Sequence, residues 1–312
     1  MTTRREFLQA SAALLLARRA DHSPSPAERG GQGARTGTRP PIGFSTLGCP
    51  NWSWTQILDF AAQHDFASIE LRGIQKAMDL TLVPELAPNR IAEAKRQLAD
   101  HGLAVSDLGS SANMHEMDAT KRAAQLDEAR RFIDLAQRLG ASYVRVFGNE
   151  YVPGVPRDAM LAHIAGGLRE LGDYAAARHV TVLIESHGDF TDSPSLLELL
   201  QRANSPGVAL LWDAHHTFVS GKEEPEHTVA QLGRYIRHTH LKDSIPAQTE
   251  GGRRYVLTGT GQVPVRRQVE ALRKIGYAGY YSFEWEKRWH PDIEEPEVAF
   301  TQFAKVVREY LS

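Results

Sequence analysis

Glu185, Asp213, His240 and Glu284 each close or follow a short strand-like run, in VTVLIE, VALLWD, IRHTHL and YYSFEW. A carboxylate carried to the end of a buried strand loses its hydration, which costs several kcal/mol unless a partner compensates it. One shared divalent cation would compensate all three carboxylates together, with an imidazole as a fourth donor. Three carboxylate oxygens and one ring nitrogen form a hard donor set suited to Mn, Co or Mg, with Zn as the alternative. Such an ion polarises a carbonyl so that the neighbouring C–H becomes acidic, and a carboxylate base then removes the proton. If Glu185 and Glu284 flank the bound carbon on opposite faces, one deprotonates and the other reprotonates, inverting a stereocentre through an enediolate. Loss of a β-hydroxyl after the first proton gives an alkene instead, so the same residues serve isomerase, epimerase or dehydratase chemistry.

Side chains alternate along a strand, so His238, His240 and Lys242 share one face of their run. His238 lies deeper and is expected to be a hydrogen-bonded core residue, and His215 is read as structural. His187, two residues after Glu185, is placed to contact a substrate hydroxyl or to stabilise its loop. Arg145 and Arg72 lie on strands towards the same end, where a guanidinium grips an anionic group or forms an ion pair, for Arg72 with Glu70. Glu286 is expected beyond its strand, paired with Lys287 or Arg288. Trp52, Trp54, Trp285 and Trp289 are pocket walls or packing residues.

The elements that must position these groups alternate from residue 42 onwards. The strand-like runs are 42–47, 68–71, 103–108, 142–147, VTVLIE, VALLWD, IRHTHL and YYSFEW. Between and after them, helical spacing predicts helices at 55–66, 89–101, 119–139, 157–178, 194–203, 225–235, 265–275 and 296–311. Leu126, Ala129, Ile133 and Ala136 form one apolar stripe on the third of these, and Gly140 stops it. Eight short apolar strands, each followed by a helix, predict a single (β/α)8 TIM barrel over residues 42–312. An open doubly wound sheet is the alternative, but no G-x-G-x-x-G follows the first strand. In a barrel the C-terminal strand ends share one mouth, which would bring the four donors together. The segment SIPAQTEGGRRYVLTGTGQ, with Gly259, Thr260 and Gly261, is expected to fold over that mouth.

Composition sets the outer limits. The chain has 312 residues, 42% hydrophobic and 24% charged, with a formal net charge of −2. That balance gives no electrostatic footprint for nucleic acid, and no run approaches the ~18 apolar residues of a membrane span. The single Cys49 cannot form an internal disulfide and is expected to be a packed thiol. Residues 1–20, with TRREFL at Arg4 and Arg5 and an Ala/Leu-rich run, are expected to be a twin-arginine export signal, implying a periplasmic protein. A cytoplasmic leader is the alternative. Residues 21–41, with Ser-Pro repeats and glycines, read as a linker unable to bury a core.

Residues 42–312 resemble the sugar phosphate isomerase/epimerase superfamily of xylose isomerase-like TIM barrels. The likeness rests on FSTLGCPNWSW, IELRG, VSDLGSS, the four strand-end residues, FEWEKRWHP and EEPE, in that order. It implies that Glu185, Asp213, His240 and Glu284 bind one divalent cation and that the two glutamates also transfer protons. It further implies that His216, in a D-x-x-H pattern after Asp213, contacts substrate; from their positions on the strands, His187, Arg145 and Lys242 are expected as further substrate contacts. The expected ligand is a small sugar or polyol, and the expected activity a sugar isomerase or epimerase, with a homo-oligomer left open. A lyase of the same superfamily is the runner-up: an inosose or dehydroshikimate dehydratase, or a 3-keto-glycoside eliminase. An endonuclease IV-like hydrolase would need a three-metal cluster whose extra ligands are not evident, and a non-catalytic sugar-binding barrel would tolerate loss of one glutamate.

Overall fold

The computed structural model describes residues 39–248 and 251–312. The expected export signal and most of the expected linker lie outside the described residues. Eight parallel strands close into a barrel: β1 (Ile42–Ser45), β2 (Ser68–Leu71), β3 (Ala104–Asn113), β4 (Tyr143–Phe147), β5 (Thr181–Glu185), β6 (Val208–Asp213), β7 (Ile236–Leu241) and β10 (Tyr281–Phe283). The order around the ring is β1, β10, β7, β6, β5, β4, β3, β2. Outside it, β8 (Asp243–Pro246) and β9 (Arg253–Val256) pair antiparallel. The helices are α1 (Trp54–Gln63), α2 (Ile91–Asp100), α3 (Ala119–Leu139), α4 (Arg157–Ala176), α5 (Ser193–Ala203), α6 (Ala214–Val219), α7 (Pro225–Leu232), α8 (Val265–Lys274) and α9 (Pro296–Leu311).

Strand alternation separates two interiors. Ile42, Phe44, Ile69, Leu71, Val144, Val146, Val182, Ile184, Leu210, Trp212, Leu241 and Phe283 point out into the layer beneath the helices and join one apolar core. The intervening residues point into the barrel. There, Tyr143, Leu183, Ala209 and Leu211 form a separate small apolar cluster, while Glu70, Asp107, Arg145, Glu185, Asp213, His238, His240 and Lys242 are buried polar groups. Both faces are therefore covered, as in any closed parallel barrel.

Local signals fix the helices that frame these strands. Ser53 and Gln56 form a reciprocal capping box at the start of α1, and Asp118 and Asp192 cap α3 and α5. The stripe of Leu126, Ala129, Ile133 and Ala136 is buried, and α3 ends at Gly140 with φ 82°, a left-handed conformation that glycine adopts without strain. Three local expectations need correction. β3 runs on to Asn113 instead of ending at 108, because its register against β4 shifts between Gly109 and Asn113. The helix expected at 225–235 is present as α7 and a 3-10 turn at Gly233–Tyr235, but a further short helix not expected from the sequence, α6, precedes it directly after β6. The long segment after β7 is not plain loop but carries the β8–β9 hairpin.

Candidate metal centre and active site

Glu185 ends β5, Asp213 ends β6, His240 lies one residue before the end of β7, and Glu284 follows β10. These are four consecutive strands of the ring, so register alone sets the four side chains side by side at the C-terminal mouth, where barrels of this kind place their chemistry. One donor atom from each lies within 4.8 Å of all the others. All four residues are at most 5% exposed. His240 Nδ1 stands 3.4 Å from Glu185 Oε1, 3.3 Å from Glu284 Oε2 and 3.8 Å from Asp213 Oδ2.

The contacts around this cluster show how each side chain is held. The backbone N–H of His216 donates to Asp213 Oδ1 at 2.9 Å, so one aspartate oxygen caps α6 and the other, Oδ2, faces the cluster. Arg145 Nε lies 3.1 Å from Glu185 Oε2 as an ion contact without an aligned hydrogen bond. The Lys242 ammonium donates to Asp213 Oδ2 at 2.6 Å and to Glu284 Oε2, and stands 2.9 Å from Glu286 Oε1. Burial alone would raise the Glu185 carboxyl, but Arg145 and then His240 outweigh it and hold it at about 2. The same contest at Asp213, against His216 and Lys242, leaves that carboxyl well below its ordinary range. Burial disfavours a charged Lys242, yet Asp213, Glu284 and Glu286 together raise it well above the usual amine value.

Two buried polar atoms in the cluster have no hydrogen-bond partner: His240 Nδ1 and Glu185 Oε2. An imidazole nitrogen left open among three close carboxylates, with a Glu185 oxygen met only by the unaligned Arg145 Nε, is what a cation-binding centre requires, because buried polar atoms without hydrogen bonds are otherwise costly. The residues present therefore fit a divalent cation.

The remaining candidates are distributed as follows. His187 donates from Nδ1 to Asn149 Oδ1 at 2.8 Å, packs on Phe147 and meets His216 edge-on at 5.1 Å between ring centroids. His216 Nε2 is 3.4 Å from Asp213 Oδ2. Both imidazoles thus stand beside the cluster. Arg145 and Lys242, expected as substrate contacts, are at most 1% exposed and are engaged by the carboxylates of the cluster itself. Gly109 makes room for this: a Cβ there would come within 2.6 Å of Arg72 Cδ and 2.9 Å of Arg145 Nη2. His215 hydrogen-bonds Ser244 Oγ at 2.7 Å, and burial pulls its imidazole down to about 3.

Two readings from sequence are corrected here. Glu286 is not paired with Lys287 or Arg288. It turns into the mouth towards Lys242, with His290 Nε2 at 3.6 Å, while Lys287 binds Glu295 and the carbonyls of Pro291 and Ile293. Glu70 does not pair with Arg72, whose Nη2 donates to Ser111 Oγ at 3.0 Å. Glu70 instead receives two imidazoles, His238 and His240. His238 is, as expected, a buried hydrogen-bonded core residue. The segment after β7 reaches the mouth through Tyr255, whose ring lies 5.9 Å from the Lys242 ammonium. Glu70 and Glu286 were missed because their partners are far away in sequence. The only local signal was period two: Glu286 follows Glu284 by two residues.

A separate cavity of about 390 Å³ lies at the opposite end, lined by residues including Leu98, Leu103, Val105, Tyr143, Arg237 and His238. The carboxylate cluster does not line it.

A family model described as xylose isomerase-like TIM barrel matches residues 58–309. No curated protein sequence matches the chain. Among solved structures, the probable 3-DHS dehydratase AsbF of petrobactin synthesis from Bacillus anthracis superposes with a TM-score of 0.72 at 20% identity, covering 86% of this chain and 98% of that one. The IOLI protein with a bound zinc atom gives 0.72 at 19% identity, covering 88% and 100%. The 3-keto-D-glucoside 4-epimerase YcjR from E. coli gives 0.67 at 16% identity, covering 87% and 98%. At these identities the likeness is one of fold. The family match spans most of the barrel, and the chain belongs to the xylose isomerase-like TIM barrels.

Proposed function

We propose that this protein is a divalent-metal-dependent isomerase or epimerase of a keto or aldo sugar or a related polyol. The observation that supports this most is the convergence of Glu185, Asp213, His240 and Glu284 on one point, with the two glutamates at the two ends of the row of four strands. A bound Mn, Co, Mg or Zn ion would polarise a substrate carbonyl and acidify the adjacent C–H. Glu185, held ionised by Arg145, serves as one proton acceptor, and Glu284, hydrogen-bonded to Lys242, serves the other face. Asp213 and His240 only hold the ion. His187 and His216, beside the cluster, orient substrate hydroxyls. The zinc-containing relative and the sugar epimerases of the same fold agree with this reading.

Glu185→Gln and Glu284→Gln test it. Each amide keeps an oxygen that can ligate but loses the base, so metal content is expected to survive while turnover falls by on the order of 10² to 10⁴. Proton exchange between candidate sugars and deuterated water is the measurement. Either variant regaining full activity once loaded with metal would reduce that glutamate to a ligand. The likeness to AsbF supports a dehydratase as the second reading. It would show as an unsaturated, ultraviolet-absorbing product from an inositol ketone or a dehydroshikimate-type substrate, with no epimer formed.

A further inference from the structure

Glu70 sits on β2, on the far side of the barrel from the row of four donors, and none of the roles above uses it. Its Oε2 accepts from His240 Nε2 at 2.7 Å and from His238 Nε2 at 2.9 Å. Glu70 and His240 are fully buried and His238 is 1% exposed. The register of β2 against β3 shifts between Ile69 and Glu70, and that of β7 against β6 shifts between Leu210 and Leu211, opposite His238. Both irregularities lie where the three side chains must meet, and such shifts re-aim side chains near functional sites.

We propose that Glu70 is the positioning residue that fixes the tautomer and ring orientation of His240, and thereby presents Nδ1 to the divalent cation. This rests on the metal-centre reading above. A carboxylate offers acceptors only, so each imidazole that touches Glu70 Oε2 must bring an N–H there. With Nε2 carrying the proton, the lone pair of a neutral His240 ring is left on Nδ1, the atom that faces Glu185, Asp213 and Glu284 and has no hydrogen-bond partner. A ring flipped about its Cβ–Cγ bond would turn carbon towards the carboxylates and forfeit the 2.7 Å bond. His238 supplies a second N–H to the same oxygen and so holds Glu70 in place. Ligating histidines commonly donate their other N–H to a carboxylate in this way, and loss of that partner weakens metal affinity by roughly 10–100-fold.

The test is Mn(II) binding, followed by electron paramagnetic resonance of the free ion, for the full-length wild type, Glu70→Gln, Glu70→Leu and His240→Ala. The wild type is expected to bind one ion per chain, Glu70→Gln about 10–100-fold more weakly, and Glu70→Leu, which has no acceptor, more weakly again, with the circular dichroism of each variant unchanged. If Glu70→Gln and Glu70→Leu bind as tightly as wild type while His240→Ala does not bind, the Glu70 proposal is overturned and the metal centre stands. If wild type and His240→Ala behave alike, the metal centre itself is overturned and the Glu70 role with it. Should the Glu70 variants not fold, nitrogen-15 spectra of histidine-labelled, zinc-loaded wild type decide. Protonated Nε2 with Nδ1 shifted by zinc supports the proposal, and zinc on Nε2 overturns it.

Discussion

Arg145 illustrates how a single buried cation sets the state of the site. Its guanidinium lies against Glu185, donates to the carbonyl of Ser110 at 2.9 Å and covers the Phe147 ring at 3.9 Å, with Arg145 itself buried. Arginine suits this position because its planar fork serves several partners at once and remains charged when buried. Removing one partner of a buried ion pair leaves the other charge uncompensated, so Arg145→Met is expected to destabilise the metal-free fold by about 3–5 kcal/mol. Denaturant unfolding monitored by fluorescence measures this, and Arg145→Lys should fall between the two. Stability equal to wild type would mean that His240 alone compensates Glu185. The sequence pointed to Arg145 as a guanidinium at the mouth, but not to its commitment inward. That depends on Gly109, a bare position on the neighbouring strand which no local pattern distinguishes from an ordinary strand glycine.

Among the elements, the strands and helices of the ring were legible because each buries a continuous apolar face, and burial imprints period on sequence. The segment after β7 was not, since its return to the barrel gathers on polar contacts to Asp243. Asp243 accepts from the backbone N–H groups of Gly259 at 2.9 Å, Gly261 at 2.8 Å and Val263 at 3.0 Å, and from its neighbour Ser244 at 2.8 Å. Gly261 is required there, since a Cβ would fall 2.2 Å from Asp243 Oδ1. This carboxylate ties the return of the β8–β9 hairpin to the end of β7, and so places Tyr255 beside Lys242. Asp243→Ala would strand four backbone donors. Hydrogen exchange followed by mass spectrometry is expected to show faster exchange confined to residues 243–263, with β4 to β6 unchanged. Substrate turnover should fall with Mn(II) affinity nearly intact, because Tyr255 is not a donor to the cluster. Uniform deprotection of the barrel would instead make Asp243 a global stability residue.

At the scale of the whole molecule, the barrel interior gathers Glu70, Asp107, Glu185, Asp213 and Glu284 in one buried space, against Arg72, Arg145 and Lys242. Burial, reinforced by the nearby Glu70, raises the Asp107 carboxyl well above its ordinary range. His240 goes the other way. Burial would lower its imidazole, but Glu284 and Glu70 outweigh that and raise it well above the usual value. A divalent ion at the cluster would compensate its carboxylates, and an ion that binds only the folded chain stabilises it by mass action. At a free metal concentration about 100 times the dissociation constant the gain is about 2.7 kcal/mol. That corresponds to a rise of roughly 5–10 °C in Tm for a domain of this size. Scanning calorimetry with Mn(II), and again after chelation, is expected to show the rise and its reversal, while His240→Ala should show neither. Equal shifts in wild type and His240→Ala would place the stabilising ion elsewhere in the barrel and remove the physical reason for burying so many carboxylates at its mouth.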